Sequence, residues 1–85
     1  MHRIYFDLHE GPGDFPGDRR YTLWLSNSLK DIAPIASELR DGLRVVIYMT
    51  GELEMEAVLE FDPKHGTWMA HGDFATIIHY DVPGA

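Results

Sequence analysis

Cysteine is absent from this 85-residue chain, which excludes disulfides, zinc–thiolate centres and thiol nucleophiles at the outset. Lysine is scarce, with only Lys30 and Lys64, and seven basic residues face fourteen acidic ones. The resulting net charge of −7 opposes non-specific capture of nucleic acid or of an anionic membrane. Long hydrophobic runs are missing as well. The longest, Val45 to Met49, falls far short of the ~20 residues that span a bilayer. At the N-terminus Asp7 interrupts Ile4-Tyr5-Phe6 before a signal-peptide core can build, so a soluble protein in the cytoplasm is expected.

The same poverty limits chemistry. Serine occurs only at 26, 28 and 37, never in a Gly-x-Ser-x-Gly elbow. The Gly- and Pro-rich stretch 10–18 carries no Gly-Lys-Ser/Thr and so forms no phosphate cradle. Catalysis would fall to Glu or His, and carboxylates on a solvated strand lack the burial that makes a general acid at neutral pH. A non-enzymatic role without a cofactor is the expectation.

What is present is the material of a folded domain: 45% hydrophobic and 12% aromatic residues, in a length that allows one core over 1–85. Residues 2–9 alternate, with His2, Ile4, Phe6 and Leu8 on one face, and 19–25 alternate again with Tyr21, Leu23 and Leu25 together. Joined by the loop 10–18, they predict an N-terminal hairpin over 2–25. From Ser28 the spacing of Leu29, Ile32, Ala36, Leu39 and Leu43 becomes helical. Pro34 is harmless only in a first turn, so Asp31 is favoured over Ser28 as N-cap, and a short helix is predicted over 31–41, ending at Asp41-Gly42. The competing reading makes 34–39 an irregular strand.

An antiparallel meander is predicted over 44–81. Val45, Ile47 and Met49 alternate in its first strand, Thr50-Gly51 turns, and Leu53, Met55, Ala57, Leu59 and Phe61 face inward over 52–62. Asp62-Pro63-Lys64-His65-Gly66 has the residues of a type I turn closed by a bulge. Short strands follow over 67–71 and 76–81, with Gly72-Asp73 between them and a fraying tail at 82–85. A long strand beside short ones must bend. The fold expected is therefore mainly β, α+β at most. It is a small antiparallel, SH3-like, partly open barrel of five to six strands, or alternatively a curved antiparallel sheet with the helix on one face. That likeness rests on strand spacing alone.

Three groups of residues could carry function. Five of the seven net negative charges fall on residues 50–62, where Glu52, Glu54, Glu56 and Glu60 share the outward face at about 7 Å per step. Such a row would steer a basic protein partner, or merely keep the sheet soluble. His71-x-Asp73 and His79-x-Asp81 form a second set, able to serve a metal if their strands converge, although the spacing matches no established signature. Arg19, Arg20, Tyr21 and Trp24 place cations beside rings, the elements of a weak nucleic-acid platform. An incompletely closed sheet also leaves an edge through which two copies could pair. A protein partner of the acidic strand or of a sheet edge is the reading these residues favour.

Overall fold

The computed structural model describes residues 1–8 and 20–80, so the loop 10–18, Arg19, Asp81 and the tail 82–85 lie outside the described residues. Two short strands, β1 (Arg3–Tyr5) and β2 (Arg20–Thr22), precede one helix, α1 (Ser26–Ile32), which continues as a 3-10 helix over Ala33–Glu38. Then follow β3 (Arg44–Met49), β4 (Leu53–Asp62), β5 (Thr67–Gly72), a 3-10 turn at Phe74–Thr76, and β6 (Ile78–His79). The fold is mainly β, and the six strands among the described residues form one sheet in the order β1-β3-β4-β5-β2, with β6 also paired to β4.

The alternation over 52–62 does what period-2 patterning requires. Leu53, Met55, Ala57 and Leu59 are all buried, and Glu54, Glu56, Val58 and Glu60 lie on the other face. Phe61 departs from the pattern. It keeps the inward register but is 41% exposed, stacking edge-on against Trp68 beside the turn that closes the hairpin. The turn beyond it forms as its residues predict: Asp62 Oδ1 accepts the Lys64 amide at 2.9 Å, and Gly66 takes φ +64°. At the far end of β5, Gly72 leaves room for the buried Met55 side chain, which would have to shift if a Cβ were added. A Cβ there would lie 2.9 Å from Met55 Sδ, inside contact distance.

The N-terminal hairpin does not form. β1 and β2 lie at opposite edges of the sheet, and β1 pairs parallel with β3, Ile4 facing Ile47 and Tyr5 facing Tyr48. Alternation specifies a two-faced strand but not its neighbour, and a nine-residue Gly/Pro stretch supplies no tight turn to impose one. A parallel pair needs a crossover of a dozen or more residues, which the chain between β1 and β3 provides, α1 included. The remaining strand pairs are antiparallel.

The helix is also displaced from 31–41. α1 starts at Ser26 after Leu25, which makes no side-chain cap, and α geometry ends where Pro34 would collide with the preceding turn. The chain tightens into the 3-10 helix instead, with Pro34 in its first turn and a non-helical kink at Ile35. Asp31 is therefore in the last turn of α1 and caps nothing. Of the predicted stripe, Ile32 is buried and Leu39 and Leu43 are half-buried, whereas Leu29 is 54% exposed and Ala36 faces solvent.

Ile4, Phe6, Leu23, Val45, Ile47, Met55 and Leu59 make the centre of the core, each 1% exposed or less. Phe6 at the β1 edge and Tyr21 at the β2 edge bring their rings to 5.1 Å, so the sheet curls until its two ends touch through side chains. Among the described residues no backbone pairing joins them, and the sheet stays open. No described helix is long and apolar enough to cross a membrane.

Candidate partner-binding face

On the outer face the register sets Arg44 of β3, Val58 of β4, His71 of β5 and Arg20 of β2 in one row across four strands. Asp41, Glu60 and Asp73 stand round this row, and together they border an open depression of about 730 Å³ over Val58 and Leu59. Two of these carboxylates are positioned by backbone amides. Asp41 Oδ1 accepts the Phe61 amide at 2.7 Å, which ties the turn before β3 to β4. Asp73 Oδ1 accepts the Ala75 amide at 3.1 Å and caps the 3-10 turn Phe74–Thr76.

The glutamate row is not a bare acidic stripe. Arg3 reaches from β1 across the Tyr48 ring, 4.9 Å from its centroid, to Glu54 at 3.0 Å. Arg44 meets Glu56 at 2.9 Å, and Arg20 meets Glu60 at 3.6 Å. Tyr80 also donates to Glu54. Three strands thus each lend one guanidinium to β4, while Glu52 sits exposed in the turn before it. Pairs this exposed stabilise the fold by about 0–1 kcal/mol each, so their main effect is to lower the field that Glu54, Glu56 and Glu60 project. The signal was present in the sequence as Arg3, Arg20 and Arg44, but only the strand order aligns them with the glutamates. Around the depression a surplus of negative charge remains, with Asp41, Glu60 and Asp73 against Arg44, and the outlying pairs of Glu60 with Arg20 and of Arg44 with Glu56 add one charge of each sign.

The His/Asp set does not converge among the described residues. His71 is opposite Val58 and His79 opposite Leu53, five β4 residues apart or on the order of 17 Å, and on opposite faces. The cause is the 3-10 turn between β5 and β6, which sets the two strands end to end along β4 rather than side by side. Asp73 is held by Ala75 and lies 4.0 Å from Arg44, and Asp81 is outside the described residues. No described cluster of three or more His, Asp or Glu has the arrangement of a metal site. The cation–ring platform is likewise divided. Tyr21 turns inward onto Phe6, Arg20 reaches Glu60, and Trp24 is exposed with its ring edge-on to His65.

Sequence reasoning missed the part that Asp31 plays in tying the helix to the sheet. Its Oδ2 accepts the Tyr5 amide at 3.0 Å and the Tyr48 hydroxyl at 2.7 Å, while its carbonyl accepts from His2 Nε2 at 2.5 Å. The Asp31 hydrogen bond, then burial and the Asp31 charge, hold the Tyr48 phenol above its ordinary 10.0. At the β4–β5 turn, the His65 ring donates to Asp62 at 2.5 Å and holds that carboxyl below its ordinary 3.8. No family model, curated protein or solved structure matches the chain.

Proposed function

We propose that this domain is a non-catalytic interaction module whose outer sheet face receives a basic protein partner. The observation that carries the reading is the open depression over Val58, rimmed by three carboxylates, Asp41, Glu60 and Asp73, against one guanidinium, that of Arg44. A cationic side chain seated there would cover the apolar floor and meet Glu60 and Asp73, while the partner's approach would be steered by the residual field. Glu52 and the arginine-bridged Glu54 and Glu56 extend the same face along β4. They contribute to register more than to attraction, since their guanidinium partners already balance two of the three charges.

The test is capture of a partner by immobilised protein, comparing the native chain with a Val58→Lys/Glu60→Lys variant. Retention at low salt that disappears near 1 M, where the Debye length is about 3 Å, and that the variant loses, is the expected result. Equal capture by a folded variant rules the face out. Quenching of Trp24 emission by an oligonucleotide at low salt would replace the protein partner by nucleic acid.

A further inference from the structure

The outermost strand on one side of the sheet, β1, is guarded in an unusual way. β3 uses the His2 carbonyl and the Phe6 amide, so both backbone groups of Tyr5 point away from the sheet. An open edge of this kind is a template for another strand. Here α1 fills it with side chains: Asp31 Oδ2 accepts the Tyr5 amide at 3.0 Å, and Ser28 Oγ donates to the Tyr5 carbonyl at 2.5 Å. One acceptor and one donor thus occupy the two hydrogen-bonding positions that a neighbouring strand would take.

We propose that α1 is a displaceable guard, and that its release lets two copies of the chain pair antiparallel through β1, centred on Tyr5. In an antiparallel hydrogen-bonded pair two residues exchange both N–H···O bonds, so a two-fold axis at Tyr5 satisfies the same two groups with their own counterparts. That register sets Arg3 opposite Asp7 of the second copy and Ile4 opposite Phe6 of the second copy, opposite charge facing opposite charge and apolar facing apolar. The guard rests on few attachments, chiefly Ser28 and Asp31. α1 has seven residues, no side-chain N-cap, and only Ser28 and Ile32 buried, whereas an isolated helix needs about 12–15 residues to persist. This inference is independent of the outer-face reading, because it uses the edge of the sheet and not the depression.

Ser28→Ala with Asp31→Ala removes both mimicking groups. Light scattering after size exclusion is expected to show a dimer that retains β-sheet dichroism, with dissociation at least about tenfold tighter than any self-association of the native chain. A folded variant that stays monomeric overturns the proposal. Adding Asp7→Arg, which sets like charges opposite one another, is expected to return the variant to monomer, and a dimer indifferent to it overturns the Tyr5-centred register. If the double variant loses its fold, Tyr5→Cys keeps the question open to measurement, since the chain has no other cysteine. Facing Cα atoms in such a pair are about 5.5 Å apart, within disulfide range. With diamide added as the thiol oxidant, the cross-linked dimer should then form at least about tenfold faster when Ser28→Ala is added, and equal rates overturn the proposal.

Discussion

Asp31 does more than any other described side chain to hold the helix against the sheet. It is half-buried, and it accepts both the Tyr5 amide and the Tyr48 hydroxyl. Removing it leaves two donors facing a helix that no longer answers them. Asp31→Ala is expected to cost about 2–3 kcal/mol in denaturant unfolding, whereas Tyr48→Phe, which deletes one donor and leaves the carboxylate on Tyr5, should cost about 1–2 kcal/mol. Costs under about 0.5 kcal/mol for both would show that the contact does not hold the helix. The pair also carries a sign. Because the folded Tyr48 phenol is raised above 10.0, its contribution is fully present below that pH and is lost as pH rises through the higher folded value. Tyr48→Phe should remove that part of the alkaline loss of stability.

Among the elements, those governed by neighbours in sequence were legible and those governed by distant partners were not. β3 and β4 follow from alternation alone, and the turn 62–66 follows from aspartate, proline and glycine at the positions the turn demands. The helix was misplaced because Asp31 is a good N-cap by residue type, while its structural use is set by Tyr5 and Tyr48, 26 and 17 residues away. The candidate face was legible only by halves. The carboxylates of β4 stand out in the sequence, but their guanidinium partners come from β1, β2 and β3 by way of a strand order that no local pattern encodes. The turn 62–66, being local, gives a local prediction. Asp62 accepts from the Lys64 amide and from His65, and its folded carboxyl is held below 3.8. Its contribution is therefore present above the ordinary carboxylate range and is lost as pH falls through the lower folded value. Amide and ring resonances of Lys64 and His65 should shift together in that acid range and cease to do so in Asp62→Asn. A variant with an unchanged acid profile would remove Asp62 as the anchor.

At the scale of the whole molecule, the curl of the sheet decides which aromatic residues matter. Three strands separate β1 from β2 in the sheet order, yet Phe6 and Tyr21 meet at 5.1 Å, so the core is closed by side chains where backbone bonds are not shared. A domain of this length has roughly 4–13 kcal/mol of stability to lose. Phe6 is fully buried, and truncation removes both its packing and the bridge between the sheet's ends, so Phe6→Ala should cost about 3–5 kcal/mol and leave the weaker end of that range largely unfolded. Phe61 has the same side chain and the same inward register, but it is 41% exposed and touches the ring of Trp68 beside the β4–β5 turn. Phe61→Ala should therefore cost about 1 kcal/mol, close to the worth of an edge-on aromatic contact. Urea midpoints of the two variants separate the cases, provided the slopes match. Equal costs would mean that the two edges are not bridged through Phe6, and that the sheet is a flatter one whose core depends on the helix alone.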